Sequence, residues 1–392
     1  MSPLIPLLTI ESQIKRKLRY HLKKIGFKRS SNGMLEPLGK SKNIYREMHS
    51  IQRLKLLKSE SSFIKTNAPK LINYFASGSE IDPINISPRL ELIYSPSWQS
   101  DLFRMASLTW SVPVSKGYGR RMRFLVWDEN NGKLIGIIAL GDPVFNLKVR
   151  DDLIGWSTSD RKERLVNVMD AYVLGSLPPY NIILGGKLLA CLIRTREVYN
   201  YFSERYSNNK GLISGKKKNP SLLMVTTSSA LGKSSVYNRL KLDNILYFKP
   251  IGYTSGWGHF HIPIDLFENM RKYLKRKRHP YADGHQFGNG PSWKIRVVRQ
   301  TLEFIRVNPD ILRHGIFREV FLCKLASNAE SILRENTKRP YCKNLLSVDE
   351  VSNLAKERWI IPRSNRFSDF KLWNKSLILE TILGNKYSTP IF

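Results

Sequence analysis

Two apolar runs, Arg121–Trp127 (RMRFLVW) and Lys133–Leu140 (KLIGIIAL), flank the pentapeptide Asp128–Gly132 (DENNG). Asn and Gly accept the positive φ of a tight turn, so the segment predicts a β-hairpin and commits this part of the chain to a sheet. Around it the hydrophobic period alternates between strand and helix. Leu90–Tyr94 reads as a short strand and Trp98 to about Trp110 as a helix. A charged helix follows at 158–167. Next come a strand at Val168–Leu177 that stops at Pro178-Pro179, a long amphipathic helix from Gly185 to about Tyr206, and a buried strand at Leu222–Thr227. A short helix at Ser234–Leu242 and strands at Leu246–Tyr253 and His259–Pro263 complete the pattern.

The flanks read differently. Residues 10–25 (IESQIKRKLRYHLKKI) put Ile10, Ile14, Leu18, Leu22 and Ile25 on one helical face and Lys15, Arg16, Lys17, Arg19, Lys23 and Lys24 on the other, ending near Gly26. A second helix runs from about Lys42 to Lys58. The Ser-, Asn- and Pro-containing stretch 59–90 suggests a boundary near 85–90. From Ile264 onward the pattern is helical with basic faces. The expected organisation is a basic helical region at 1–89, an α/β domain at 90–262 and a basic helical region at 263–392.

Charge narrows the partners. The chain of 392 residues has 64 Lys+Arg against 32 Asp+Glu, a formal charge of +32. Residues 1–50 hold 11 bases and 3 acids and residues 201–300 hold 18 and 5, whereas 151–200 is balanced at 6 and 6. An excess concentrated in particular segments points to a polyanion, DNA or RNA, rather than to general solubility. Phosphate contacts are expected from Lys15, Arg16 and Lys17 and from Arg271, Lys272, Lys275, Arg276, Lys277 and Arg278. A loop with Tyr281, His285, Phe287 and Trp293 follows, whose aromatics could stack on unpaired bases. A solvated basic helix and an ordered surface loop are the plainer alternative.

Other classes recede. No apolar run approaches the ~18–20 residues of a membrane span, and Met1–Ile10 lacks the basic start and small-residue cleavage site of a leader. Cys191, Cys323 and Cys342 form no CxxC, which argues against a disulfide framework or a cysteine zinc site. A cytoplasmic protein without membrane contact is expected.

Individual motifs stay incomplete. Ala230–Ser235 (ALGKSS) ends like a P-loop, but Thr227 stands where the first glycine of the phosphate nest belongs. His259 and His261, with Asp265 nearby, make at most half a metal site, so no metal is expected. Asp151, Asp152 and Asp160 read as solubilising loop charges, while Asp142 and Asp170 sit in or beside strands. Trp156 is either a stacking platform or a core anchor. Arg161 and Arg164 either bind phosphate or pair with Asp160 and Glu163. No complete catalytic motif is present.

The order of elements over 90–262 resembles the GNAT acyltransferase fold, which implies a GNAT-like mixed sheet flanked by helices. In that family a strand ends in a splayed loop, and the helix after it holds the pyrophosphate of acetyl-CoA on its N-terminal amides. The corresponding stretch is Pro178–Leu188 (PPYNIILGGKL), so the resemblance implies Gly185, Gly186 and Lys187 as the cofactor site. The family's [Gln/Arg]-x-x-Gly-x-[Gly/Ala] pattern is absent. The double glycine equally suits a tight turn or a close packing point. No cofactor is therefore expected, with acetyl-CoA and an acyltransferase activity as the alternative.

A narrower resemblance lies in 133–179. Ile154-Gly155-Trp156, then Arg161 and Leu165, then a strand closing on Pro178, are similar to the DruA family of the Druantia anti-phage defence systems. Leu188, Leu189 and Leu222–Tyr237 (LLMVTTSSALGKSSVY) continue the likeness, which covers about 120–262. The chain departs at AYVLGSLPPY and ILGGKLL, where many members have a more hydrophobic strand and an Asn-Leu-Ala-Ser helix start. The resemblance implies antiviral defence in a bacterium beside other Druantia proteins, including a large helicase. It brings no established chemistry. A non-enzymatic scaffold for acidic partner proteins is the third reading.

Overall fold

The computed structural model describes residues 8–31, 33–114, 119–207, 220–284, 292–335 and 339–383. The chain forms two compact units, Met1–Gln52 with Thr254–Arg318, and Arg53–Tyr253 with Glu319–Phe392. The expected segments 1–89, 90–262 and 263–392 do not follow this division, because each unit is assembled from separate stretches of chain.

The larger unit is built on a mixed seven-stranded sheet. Its strands are β1 (Pro88–Leu92), β2 (Arg121–Asp128), β3 (Lys133–Gly141), β4 (Val168–Ser176), β5 (Met224–Ser228), β6 (Lys249–Tyr253) and β7 (Glu319–Lys324), in the order β6-β7-β5-β4-β3-β2-β1. All neighbours are antiparallel except β4 and β5. The hairpin forms as expected, with Met122 opposite Leu140 and Leu125 opposite Ile137. Successive side chains point to opposite faces. Phe124, Val126, Ile135 and Ile138 enter one core, and Leu125, Trp127, Leu134 and Ile137 the other. The sheet is thus covered on both sides by helices, and each fully buried Leu, Ile or Phe contributes about 1.5–3 kcal/mol. Pairing of β4 with β5 stops at Asp170 and Thr226, beyond which β4 continues beside β3 alone.

Several expected elements are corrected. The helix expected at Gly185–Tyr206 is two helices, Gly185–Leu192 and Arg196–Tyr206. They are separated by Thr195, whose hydroxyl donates to Leu192 O and whose backbone bridges to Leu346. Ser234–Leu242 is not helical. Its end forms a small hairpin, Lys241–Leu242 with Ile245–Leu246, turned by Asp243 and Asn244 at φ 41° and 60°, a conformation these short polar residues tolerate. His259–Pro263 is a turn, closed by Ile262 N–H on His259 O, rather than a strand. The Ser-, Asn- and Pro-containing stretch 59–90 contains the helix Ser61–Leu71. The region after 263 is not all helical, because β7 lies between β6 and β5.

The smaller unit packs the helices Ile10–Lys24, Ile264–Arg276 and Trp293–Phe304 with a short hairpin, Phe27–Arg29 and Leu35–Pro37. No helix among the described residues is long and apolar enough to cross a membrane.

Candidate nucleic-acid interface

The apolar face read from residues 10–25 is the buried one. Ile14, Leu18, Leu22 and Ile25 are almost inaccessible, which turns the basic positions outward. Arg16, Lys17, Arg19, Lys23 and Lys24 are exposed and Lys15 is half-buried. Thr9 caps the helix through its hydroxyl, which accepts the Ser12 N–H. Among these bases stands Tyr20, 67% exposed. It lies four residues after Arg16 and three and four before Lys23 and Lys24, hence on the same helical face. Sequence reasoning passed over Tyr20; the available signal was a tyrosine at a polar-face position.

The second basic run ends the Ile264–Arg276 helix, which is anchored by buried Leu266, Phe267, Met270, Tyr273 and Leu274. This helix packs on Ile10–Lys24. The Tyr273 hydroxyl donates to Glu11 Oε1 at 3.1 Å, and Lys277 Nζ lies 4.0 Å from the same carboxylate. His21, near the end of the first helix, acts electrostatically on His261, which precedes the second. The two helices therefore run antiparallel. Two basic runs some 250 positions apart in sequence meet on one unit. Lys272, Lys275, Arg276, Lys277 and Arg278 are exposed. Over Met1–Gln52 and Thr254–Arg318 there are 23 Lys+Arg against 8 Asp+Glu, compared with 41 against 24 in the rest. Glu11 also holds its charge readily, its carboxyl lowered by hydrogen bonds from its own backbone and from Tyr273. Basic side chains in a helix's last turn also suit the helix dipole, so part of their role is structural.

Two of the expected contact residues are already engaged within the fold. Arg271 Nε donates to Ala282 O at 2.9 Å, and its guanidinium lies over the Trp293 ring at 5.5 Å. Trp293 is buried at 9% exposure. Its Nε1–H donates to Tyr281 O at 2.8 Å, and its ring meets Phe267 edge-on. Trp293 is a core anchor, because stacking a base on it would require opening this packing. His285 and Phe287 lie outside the described residues.

In the loop after β4, two of the amides near the expected cofactor position are bonded within the turn. The Gly185 N–H donates to Tyr180 O at 2.8 Å, and the Lys187 N–H donates to Leu184 O. A Cβ on Gly185 would lie 2.7 Å from Tyr180 O, so this glycine permits close packing. The Lys187 ammonium sits 5.3 Å from the centre of the Trp359 ring, with its pKa lowered by burial and by Arg358. Gly186 has more room, its nearest neighbour being Ser176 Oγ at 3.5 Å from an added Cβ.

The remaining motifs resolve into structural roles. At Ala230–Ser235, the Ser234 N–H points to a carboxylate, Glu319 Oε2 at 3.4 Å, where a phosphate would have to bind. Ser234 Oγ caps the Val236 and Tyr237 N–H groups. His261 is 1% exposed and bonded through Nε2 to Ile311 O; burial lowers it to about 3 and His259 to about 4. No group of three His, Cys, Asp or Glu suited to a metal occurs among the described residues. Asp151 is buried between Arg150 and Arg161, and Asp152 pairs with Lys148. Asp160 caps its helix through Ser157 and pairs with Arg164. Asp142 receives both the backbone and the side chain of Arg120. Asp170 is raised to about 6 by desolvation, which outweighs the Thr226 hydroxyl at 2.8 Å and the charge of Arg150. Each of these carboxylates is engaged by an arginine, a lysine or a hydroxyl of the fold. Trp156 is 7% exposed with Nε1–H on Leu333 O at 2.7 Å, again a core anchor.

No solved structure matches the chain. The family model described as Druantia protein DruA matches residues 39–335, more than half of the chain. The chain is also 52% identical over 380 residues to a protein named Druantia protein DruA from Escherichia coli (strain UMEA 4076-1), covering 97% of this chain and 94% of that relative. Both matches run well beyond the 120–262 region whose letters suggested the likeness, and on that evidence the chain belongs to the DruA family of Druantia proteins.

Proposed function

We propose that this protein is a cytoplasmic component of a Druantia-type anti-phage defence system and grips nucleic acid through its smaller unit. The family membership supports the defence role. The observation that carries the nucleic-acid reading is that two packed helices of one unit each present exposed basic residues. Arg16, Lys17, Lys23 and Lys24 on one helix, and Lys272, Lys275 and Arg276 on its antiparallel neighbour, are all exposed. Cations within one unit add their potentials and release counterions when they neutralise phosphates. Exposed Tyr20 adds a ring on which an unpaired base can stack. Other Druantia proteins, among them a helicase, are the partners this reading expects.

The test is fluorescence anisotropy with labelled single-stranded DNA, duplex DNA and RNA at two salt concentrations, using nuclease-treated protein. Binding that weakens steeply with salt is expected. Absence of binding to all three would overturn the reading and favour an acidic protein partner.

A second reading has one observation in its favour. The parallel pair β4–β5 diverges beyond Asp170, and a helix follows β4, as the acyltransferase likeness requires. Calorimetry with acetyl-CoA decides it: heat of binding abolished by Gly186→Val would support it, and no heat would exclude it.

A further inference from the structure

In a chain with twice as many bases as acids, one surface cleft runs against the trend. It lies in the larger unit, has a volume of about 410 Å³, and is lined by Arg89, Glu91, Trp98, Trp127, Asp128 and Glu129, with Gly132 at its edge. That volume falls within the range of small-ligand sites.

Of the charges in the cleft, Arg89 and Glu129 form one ion pair, while Asp128 and Glu91 are bonded to neutral donors. Asp128 is turned inward, accepting the Tyr180 hydroxyl at 2.9 Å and the N–H groups of Ser87 and Asn130. Arg89 and Glu129 pair with each other at 2.9 Å at the rim. Glu91 faces no cation among its described contacts. Its two oxygens each receive one neutral donor, Trp127 Nε1–H on Oε2 at 2.5 Å and Gln99 Nε2–H on Oε1 at 3.0 Å. A carboxylate offers about four acceptor sites, so each oxygen retains capacity for one more donor. The indoles fix the shape. Trp98 is 45% exposed and is held by Tyr74, stacked at 4.9 Å and 26°, while Trp127 stands 6.2 Å from it at 49°.

We propose that this cleft is a binding site for a guanidinium group. A guanidinium is planar and stacks on an indole face, its positive charge is attracted to the ring quadrupole, and its parallel N–H pair matches two carboxylate oxygens that each accept one more bond. An ammonium ion would satisfy the charge but neither the plane nor the fork.

The test is a titration of the full chain carrying ¹⁵N-labelled tryptophan, with the indole signals assigned by Trp98→Phe. N-acetyl-arginine amide is expected to shift the Trp98 and Trp127 signals saturably. N-acetyl-citrulline amide, which keeps the shape without the charge, is expected to bind at least tenfold more weakly. Glu91→Gln lowers the affinity for the arginine compound at least tenfold, and Trp98→Ala, at a part-exposed position, does the same without loss of the fold. Agmatine and a Gly-Arg-Gly peptide separate the sources: tighter agmatine binding assigns a small molecule, and tighter peptide binding assigns an arginine of a partner protein. No saturable shift with any guanidinium compound, equal binding of the citrulline compound, or a response to AMP but not to arginine would each overturn the proposal.

Discussion

Acidification should weaken the smaller unit far more than its composition suggests. Phe260 is surrounded by His49 at 4.9 Å, His314 at 4.8 Å and His261 at 5.4 Å, measured between ring centres. These histidines are 3%, 5% and 1% exposed. Burial lowers His49 to about 4 and both His261 and His314 to about 3. The charges of Arg318 near His49 and His314, and of His259 and His21 near His261, push in the same direction. Because the folded values lie below the ordinary histidine value, the unfolded chain binds more protons between about pH 6.5 and about pH 3–4. Stability is therefore complete above that window and is lost as pH falls through it. Each histidine contributes about 1.4 kcal/mol per pH unit below 6.5, which gives about 2 kcal/mol each at pH 5. Three together reach on the order of 6 kcal/mol as an upper bound, comparable with the whole stability of many domains. Urea unfolding at pH 7.5 and pH 5.0, on wild type and on His49→Phe, measures this. The wild type should lose several kcal/mol between the two values. The variant, which keeps the ring but cannot titrate, should lose about a third less. Equal midpoints at both pH values, or an unchanged loss in His49→Phe, would refute the reasoning.

Three further outcomes follow from particular contacts. Replacing Lys272, Lys275 and Arg276 with alanine should reduce the slope of log K against log salt for duplex DNA by about 3, read by anisotropy, with little change in melting temperature because all three are exposed. Tyr180→Phe removes a hydroxyl that donates to buried Asp128 at 2.9 Å, and calorimetric unfolding should show a loss of about 1–3 kcal/mol. Gly185→Ala drives a Cβ to within 2.7 Å of Tyr180 O. It should cost about 1–3 kcal/mol, with an activity-independent drop in melting temperature.

Legibility varied with the kind of signal. The β2–β3 hairpin was readable because DENNG fixes the turn and both flanks are apolar. The Ile10–Lys24 helix was readable because its apolar period leaves only one way to face the core. β7 was missed because EVFLCK is a short apolar run, and a run that short fits a buried helix as well as a strand. Only its pairing with Thr226 and Phe321's place opposite Thr227 distinguish the two, and those partners lie about 95 positions away. The break at Thr195 was hidden for the same reason, since Leu346 supplies its backbone partner. At the candidate interface the exposed lysines and arginines were legible as charge. At Arg271 and Trp293 sequence gives the residue type but not the neighbours, Ala282 O and Tyr281 O, that engage it. That the two basic helices pack in one unit could not be read at all, because it depends on helix packing across some 250 positions.

Nucleic acid is expected to land on the paired helices of the smaller unit. Photo-crosslinking of the full chain to 4-thiothymidine-containing DNA, followed by mass spectrometry of the linked peptides, tests it directly. Crosslinks are expected at Tyr20 and in peptides spanning 15–24 and 272–278, lost at high salt. Crosslinks confined to residues 53–253 and 319–383, or none above a charge-matched control protein, would contradict it.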